Sequence, residues 1–403
     1  MRGIAILMVL WYHVWQLSWL STGVTALGRH FDAQFIPETG FLGVELFFFI
    51  SGFVLFYPYA RHVFEGKRLQ TAGQFAYRRF IKIVPSYLIV LIVLVPIVAR
   101  DFGSAANTAW QVFTHALFIH TWFYDTMSSI NGVLWSLGIE VQFYVIFLLL
   151  ALAFRKWPLW TFLGMLATAL IYRHLLAACC IADYTKMNQL PAYIDLFAAG
   201  MMAAYLFVFL KVKVVNVERY ALGFTVVALA MAAVFYLMQH NLFEVRYQDQ
   251  GFEIWKADNR TYLGLVFLAF TVASLLAAAW WRAVLANKIL FFFSIISYNL
   301  YLWHAVIARY LFEHRIPAPG TPDPHNDPYW AWLYTFTAVV AGIIVAAAIT
   351  YLFERPLLNK GNTGAKAPAL RLGLVGLDPD APAAEKRGIG GSQSANQRGL
   401  RPQ

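Results

Sequence analysis

An arginine and a histidine stand 11 positions apart at the start of the chain, Arg2 and His13, and the stretch Gly3 to Trp11 between them is almost wholly apolar. An 11-residue step in an α-helix is three turns, about 16 Å along the axis, so both side chains lie on nearly one face. The pattern predicts a cation near a membrane surface and an imidazole within the membrane. Imidazole titrates near neutrality and suits the removal of a proton from a hydroxyl group. A satisfied buried histidine beside an ordinary surface arginine is the alternative.

A second group of chemically capable residues is the basic segment Arg78, Arg79 and Lys82. Arg78 and Lys82 are four residues apart, on one face of a helix, and Arg79 adds a third cation. Guanidinium and ammonium groups both suit phosphate, so the segment could hold a polyanionic ligand. The alternative is that these cations anchor the helix to lipid headgroups.

A polar stripe is expected where Ser136, Glu140 and Tyr144 follow each other at intervals of four in an otherwise apolar segment. A carboxylate about ten residues into a membrane span is costly. Glu140 therefore needs a partner such as Arg173 or a histidine, or it is protonated. A purely structural ion pair remains an alternative to a catalytic role.

Two further segments carry polar residues inside apolar runs. Tyr301 and His304 share one helical face, and they either join helices by hydrogen bonds or line a cavity. Ser51 precedes Gly52, and this small pair permits close helix packing as readily as it offers a nucleophile, since nothing beside Ser51 in the sequence resembles its base.

These residues must be positioned by membrane helices, because the 403 residues are 60% hydrophobic and only 13% charged. Apolar runs near the length of a bilayer span predict an all-α polytopic transmembrane helical bundle. We expect ten spans, at residues 3–20, 41–58, 80–99, 131–153, 157–178, 190–211, 219–238, 261–281, 289–311 and 329–353. A shorter apolar stretch, Trp110 to Phe123, is expected to be interfacial or re-entrant.

The formal net charge of +10 is explained by the positions of its charges. Lys and Arg concentrate in alternate loops, which predicts cytoplasmic N- and C-termini and makes nucleic-acid binding improbable. Residues 1–360 are expected to form the transmembrane domain. Residues 361–403, rich in Gly, Ala, Pro and Ser, are expected to be a disordered cytoplasmic tail. We find no Gly-rich phosphate loop and no metal-spaced His and Cys cluster, and we expect no metal and no permanently bound cofactor.

Together these segments resemble acyltransferase family 3, a family of integral membrane O-acyltransferases. The resemblance covers Arg2 to about Lys360, and its segments are Arg2-Gly3-Ile4-Ala5 running to His13, Gly43 to Phe53, Arg78-Arg79 to Pro85, Trp135 to Tyr144, Ser297 to His304, and Phe353-Glu354-Arg355-Pro356. It implies transfer of an acyl group, commonly acetyl, from cytoplasmic acyl-CoA to a hydroxyl of a glycan or glycolipid outside. Acyl-CoA would be a co-substrate, and the protein would lie in the bilayer of a bacterial inner (plasma) membrane.

The resemblance also implies roles for single residues. Arg2 and His13 match the family's Arg-x10-His signature, with His13 as the catalytic residue. Arg78 and Arg79 match its basic segment, Glu140 its membrane glutamate, and Ser51-Gly52 its Ser-Gly turn. Val141 stands where many relatives have a second glutamate, which argues against a paired-carboxylate mechanism. Relatives usually have several residues before the arginine, which suggests a start upstream of Met1.

The residue chemistry is compatible with acyl transfer. His13 would deprotonate the acceptor hydroxyl, with Glu140 or Tyr144 orienting the imidazole or the acceptor, while Arg2, Arg78, Arg79 and Lys82 bind the donor phosphates. Ser51, Ser136, Tyr144, Tyr301 and His304 would support the site. Direct transfer and an acyl-His13 intermediate are both open. A secondary transporter or flippase for a lipid-linked glycan is the alternative function, although the spans show no repeated halves.

Overall fold

The computed structural model describes residues 1–26, 29–181 and 183–363, and these form a bundle of α-helices. In chain order the elements are α1 (Arg2–Ser18), β1 (Val24–Ala26), β2 (Arg29–Phe31), α2 (Phe35–Glu38), α3 (Leu42–Glu65), α4 (Ala72–Val98), α5 (Ala105–Ala116), α6 (Leu134–Lys156), α7 (Pro158–Cys179), α8 (Tyr184–Met187), α9 (Ile194–Lys213), α10 (Ala221–Val245), α11 (Gly251–Leu276), α12 (Ala279–Leu285), α13 (Lys288–Glu313), α14 (Pro328–Ile349) and α15 (Arg355–Thr363). A π-helical turn, Thr350–Glu354, joins the last two helices. The two strands form a short antiparallel hairpin.

Nine of the described helices are long and apolar enough to cross a membrane. They include α3, α4, α6, α7, α9, α10, α11, α13 and α14. Helix α1, with 17 residues, is shorter and rises about 25 Å. The predicted polytopic helical bundle is confirmed, and the ten predicted spans correspond to these nine helices and α1. The orientation of the termini stays a prediction, so we call the end of the bundle that carries Arg2 the basic end.

Helix boundaries differ from the predicted spans where charged residues are part of a helix. Helix α4 begins at Ala72 because Thr71 and Gln74 form a capping box, and the basic segment is therefore helical. Helix α11 begins at Gly251, ten residues before the predicted span. Its first turns carry charged residues, which a search for apolar runs leaves out of a span. In the fold these charged residues form ion pairs. The apolar stretch from Trp110 to Phe123 does not form a span. Most of its helical residues belong to α5, which has 12 residues.

Close helix crossings fix the relative positions of the helices that carry the candidate residues. A Cβ atom on Gly52 of α3 would overlap the carbonyl oxygen of Phe197 in α9, and one on Gly3 of α1 would overlap that of Leu290 in α13. Only glycine permits such an approach of two backbones. Of the two interpretations of the Ser51-Gly52 pair, the close helix packing is found at Gly52. The Gly3 contact holds α1 against α13, the helix of Tyr301 and His304.

Buried ion pairs join the helices at the end opposite the basic end. Arg173 donates to Asp195 at 2.8 Å and to Thr261 at 2.5 Å, and all three side chains are buried. Arg260 lies 3.4 Å from Glu45. A buried charge without its partner costs several kcal/mol, so these pairs stabilise the arrangement of α3, α7, α9 and α11.

The predicted domain boundary at residue 360 falls inside α15, which ends at Thr363. The predicted tail, residues 361–403, lies outside the described residues from position 364 onward.

Candidate active site

A carboxylate lies at the centre of the candidate site. Glu140 of α6 accepts hydrogen bonds at Oε1 from the hydroxyl groups of Ser51 in α3 and Tyr144, one turn along α6. The sequence predicts the Tyr144 contact from its spacing. It does not predict Ser51, which is 89 residues away along the chain. Arg173, one of the partners that the sequence offered for Glu140, is paired instead with Asp195 at the other end of the bundle.

Cations surround this carboxylate at the basic end. Arg79 lies with its guanidinium carbon 5.9 Å from the centre of the Tyr144 ring. The Nε atoms of Arg2 and Arg79 are buried and have no hydrogen-bond partner in the described part of the chain. An unpaired buried N–H costs free energy, so both arginines are suited to an anionic ligand that would accept these bonds.

Two cavities share Arg2, Phe47, Glu140 and Tyr298 in their walls. One of them extends to Ser51, Arg79, Lys82 and Tyr144. The other extends along α6 to Ser136 and Tyr301 and is otherwise mostly apolar. The candidate site is therefore cationic at the basic end and apolar farther into the bundle.

Arg78 and Lys82 differ from the expectation that they share one face with a ligand. Arg78 does not line the described cavities, and its Nη1 donates to Gln70 at 3.4 Å. Arg79 and Lys82, three residues apart, face the cavity together. Lys82 is ion-paired with Glu354, which also accepts a 2.6 Å hydrogen bond from Asn299. The sequence does not predict this contact, because it joins α4 to the π-helical turn 272 residues later.

A hydroxyl pair marks the inner limit of the cavity. The oxygens of Ser136 and Tyr301 lie 2.6 Å apart, and the Tyr301 hydroxyl also donates to the carbonyl of Val133 at 3.1 Å. Both side chains are buried. These bonds join α6 to α13, and they place the Tyr301 ring between the cavity and His304, whose ring centre is 5.8 Å away.

The two candidate histidines are in contact with each other. Nδ1 of His13 lies 3.1 Å from Nε2 of His304, and also 3.0 Å from the carbonyl oxygen of Val9. His304 is 1% exposed, whereas His13 is partly exposed. Neither histidine lines the two described cavities, of which one reaches Tyr301. Glu140 and Tyr144 form no hydrogen bond with His13 among the described residues, so the neighbour that orients the imidazole is His304 rather than either of them.

A second histidine pair lies apart from the site and outside the membrane-spanning helices. His115 is part of α5, and His120 follows this helix. The rings of His115 and His120 stack with centres 4.2 Å apart, and both residues are buried. Burial, followed by the charge of His120, lowers the pKa of His115 to about 3, and burial lowers the pKa of His120 to about 4. Both imidazoles are therefore neutral near neutral pH, and their place in the fold is structural.

This pair predicts an acid-sensitive fold. A histidine whose folded pKa is lowered stabilises the protein fully above its unfolded value of 6.5, and the contribution is lost as the pH falls toward the folded value. At pH 5 the loss is about 2 kcal/mol for each residue. The double variant His115→Asn, His120→Gln replaces each imidazole by an amide that still offers an N–H donor. Between pH 7 and pH 5 we expect the melting temperature of wild type to fall by more than that of this variant. Equal losses in the two proteins would contradict this account.

The described residues contain no group of three or more His, Cys, Asp or Glu side chains placed to hold a metal ion. The site consists of a cationic cavity with a carboxylate, a hydroxyl pair and an imidazole pair, arranged in that order along α1, α6 and α13. Such a set can hold an anionic molecule at one end and accept a proton at the other.

A family model described as an acyltransferase domain matches residues 1–352. The chain belongs to the acyltransferase 3 family. The resemblance found from the sequence motifs is confirmed, and the protein is a multi-pass membrane protein of that family. No solved structure matches the chain.

Several curated proteins are similar to this acyltransferase 3 family member. A Staphylococcus aureus protein named "Putative O-acetyltransferase" is 23% identical over 383 residues, which is 90% of this chain and 57% of the relative. An exopolysaccharide production protein of Rhizobium meliloti is 25% identical over 87% of this chain and 96% of its own length. A peptidoglycan O-acetyltransferase of Listeria monocytogenes is 26% identical over 39% of this chain and 24% of its own length. The chain thus spans little more than half the length of the Staphylococcus relatives.

Proposed function

We propose that the protein is a membrane O-acyltransferase that moves an acyl group from acyl-CoA to a hydroxyl of a glycan or glycolipid, and that this acyl group is acetyl. The donor would enter at the basic end, from the cytoplasm, and the acceptor would approach from the other side of the membrane. The observation that carries the proposal is the cavity at Arg2 and Arg79, whose buried Nε–H groups have no described partner. Glu140 lines the same cavity, and Arg2 lies on α1 together with His13.

The charge of the cavity supports an anionic donor. Arg2 and Arg79 contribute two positive charges and Glu140 one negative charge, while Lys82 is neutralised by Glu354. The wall is therefore cationic by about one charge before any ligand binds. Phosphate oxygens accept from guanidinium groups in paired bonds, and such charge-assisted bonds are stronger than neutral ones. The nucleotide phosphates of acyl-CoA match this wall.

The shape of the cavity supports a donor with a long apolar arm. The part of the cavity between Arg2 and Tyr301 is lined mainly by Val44, Phe47, Phe48 and Leu137. A pantetheine arm is uncharged and flexible, so it would lie along these side chains while the phosphates stay at the arginines. Tyr301 separates the end of the cavity from the histidines, so the thioester would have to pass its ring to meet His13.

His13 would act as the general base. Its Nε2 would accept the proton of the acceptor hydroxyl while the hydroxyl oxygen attacks the thioester carbonyl carbon. The carbon–sulfur bond then breaks, and the CoA sulfur takes up the proton from His13. In the two-step alternative Nε2 attacks the carbonyl carbon, the carbon–sulfur bond breaks and CoA leaves as the thiolate. The acyl group then passes from His13 to the acceptor oxygen, whose proton is taken up by the thiolate. A labelled acyl group that never stays on the protein after rapid quenching would exclude the second route.

The names of the relatives support a glycan as the acceptor. One is named for peptidoglycan and another for exopolysaccharide production. Both are carbohydrate polymers outside the cytoplasm, which agrees with an acceptor at the His13 end and with residence in the plasma membrane of a bacterium.

A single assay tests the proposal against transport. The purified full chain in detergent is incubated with acetyl-CoA labelled in the acetyl group, with and without a glycan acceptor. We expect free CoA to appear with the acceptor, and the label to move to the glycan in equal amount. In a second preparation the protein is placed in proteoliposomes. If the acceptor moves across their membrane and CoA is released neither there nor in detergent, the acyltransferase proposal is refuted and a transporter is favoured.

A further inference from the structure

We propose that His304 is a positioning residue that fixes the protonation of His13, so that Nε2 of His13 is the nitrogen that accepts the substrate proton. This inference rests on the proposed role of His13 as the base. It goes further, because it assigns the tautomer of each imidazole and gives His304 a function that is separate from contact with substrate.

The surroundings of His304 determine its own tautomer. Its Nδ1 lies 2.9 Å from the carbonyl oxygen of Leu300 and 2.8 Å from that of Tyr301. Carbonyl oxygens only accept hydrogen bonds, so Nδ1 carries the proton and donates it. A neutral imidazole has one N–H, and Nε2 of His304 therefore presents a lone pair toward His13.

The same reasoning applies to His13. Its Nδ1 lies 3.0 Å from the carbonyl oxygen of Val9 and 3.1 Å from Nε2 of His304. Both neighbours are acceptors, so Nδ1 must be the protonated nitrogen, and its N–H is shared between them. If Nδ1 of both histidines lacked its proton, the lone pairs would face the carbonyl oxygens of Val9, Leu300 and Tyr301 inside the bundle. Nε2 of His13 consequently keeps its lone pair, which is the form that a general base requires.

The position of His304 suits this task because its Nε2 is the acceptor that α13 supplies to Nδ1 of His13, beside the carbonyl oxygen of Val9. The residue is 1% exposed, so water does not compete for its Nε2. The other titratable rings that face the pair are Tyr12, whose ring centre is 5.1 Å from that of His13, and Tyr301, at 5.8 Å from His304. No carboxylate is hydrogen-bonded to either histidine in the described part of the chain. A neutral imidazole thus occupies the place at the base that a carboxylate occupies in many hydrolases.

Helix packing holds the two rings together. Gly3 allows α1 to approach α13, and Asn131 donates to the carbonyl oxygen of Leu302 at 3.0 Å, which ties α13 to the segment before α6. The His13 and His304 ring centres are 4.8 Å apart at an interplanar angle of 71°. The contact therefore depends on the backbone positions of two helices and not on a mobile loop.

Two variants of similar size separate a positioning role from a structural one. His304→Gln keeps an acceptor oxygen near the position of Nε2, whereas His304→Leu removes it. We expect His304→Leu to lower kcat about 100-fold with the KM for acetyl-CoA unchanged, since the donor phosphates bind at the other end. We expect His304→Gln to recover at least about tenfold of this loss. A structural role alone would lower the amount of folded protein without this difference in kcat between the two variants.

The ¹⁵N spectrum of labelled histidine gives a readout that does not depend on activity. In wild type we expect the His13 signals to show a protonated Nδ1 and an unprotonated Nε2. In His304→Leu we expect a larger share of the tautomer with protonated Nε2, because only the carbonyl oxygen of Val9 still accepts from Nδ1. Protonated Nε2 on His13 in the wild-type protein would overturn the inference. So would full activity and an unchanged pH profile of kcat/KM in His304→Leu.

The variant His13→Ala distinguishes this failure from failure of the proposed function. If His13→Ala is inactive while His304→Leu behaves as wild type, His13 is the base without help from His304, and only the present inference fails. If His13→Ala retains wild-type CoA release, the proposed function of the site fails, whatever the result for His304.

Discussion

Replacement of His13 by alanine is expected to lower acceptor-dependent CoA release by about 1000-fold, because a positioned base contributes about 10²- to 10⁴-fold to proton transfer. The lost group is the imidazole of His13, whose Nε2 has no hydrogen-bond partner among the described residues. The loss should lie in kcat, because the cationic wall that would hold the donor is three helical turns away along α1. Initial rates of CoA release, measured over a range of acetyl-CoA concentrations, check this.

A histidine at the same end of the bundle provides the control. His314 follows α13, is exposed and stacks on Tyr310 with ring centres 4.1 Å apart. His314→Ala should keep kcat and KM near wild type. Elution as a single species and an unchanged melting temperature would show that His13→Ala is folded. A folded His13→Ala with more than about a tenth of wild-type kcat would be incompatible with its role as the base.

The second large effect concerns two adjacent arginines. Arg79→Ala should raise the KM for acetyl-CoA about 10- to 100-fold, since a hydrogen bond to a charged group contributes about 1.5 to 3 kcal/mol. Arg78→Ala removes the same charge from the neighbouring position, yet its side chain does not line the described cavities. Arg78→Ala should change the KM by no more than about threefold, because a charge that makes no direct contact with the donor contributes little. Isothermal titration with CoA measures the same difference without turnover.

The comparison of the two arginines has a clear opposite outcome. If both variants weaken CoA binding equally, the basic segment acts through its overall charge, and no particular guanidinium contacts the phosphates. If neither does, the donor binds elsewhere. Raising the salt concentration should reduce a long-range charge effect of Arg78 on the KM more than it reduces a direct contact of Arg79 with phosphate.

Much of the fold is predictable because the membrane imposes a simple rule on sequence. Each predicted span corresponds to a helix, since twenty or so apolar residues are needed to cross hydrocarbon. The errors fall where polar residues are stabilised by partners that are remote in sequence. The start of α11 was missed because Lys256 and Arg260 count against a membrane helix, whereas in the fold Lys256 lies 2.6 Å from Glu253 and Arg260 lies 3.4 Å from Glu45.

The candidate site was predictable in its residue types and only partly in its contacts. Spacing along one helix correctly places Tyr144 beside Glu140. Contacts between helices have no signal in a single sequence, so the partners Ser51 for Glu140 and Glu354 for Lys82 were not found. Of the two roles expected for Glu140 or Tyr144, a hydrogen bond to the imidazole of His13 is not found among the described residues, and a role in orienting the acceptor stays a prediction. His304, identified only as a polar residue in an apolar helix, is the neighbour that contacts His13.

The choice between Arg78 and Arg79 shows a further limit. Consecutive helical residues point about 100° apart, so only one of the two can face a given cavity. The sequence gives the spacing but not the rotation of the helix about its axis. That rotation is set by packing, in which Phe75, one turn before Arg79, is buried and stacks on Phe147 with ring centres 5.3 Å apart.

The most direct test of the account is a structure of the protein with a non-hydrolysable acetyl-CoA analogue. We predict phosphate oxygens within hydrogen-bonding distance of Arg2 and Arg79, the pantetheine arm along Phe47 and Leu137, and a displaced Tyr301 ring. The thioester carbonyl would then face Nε2 of His13 with space for one hydroxyl oxygen between them. Phosphates bound away from the two arginines, or a carbonyl still separated from His13 by the Tyr301 ring, would contradict it.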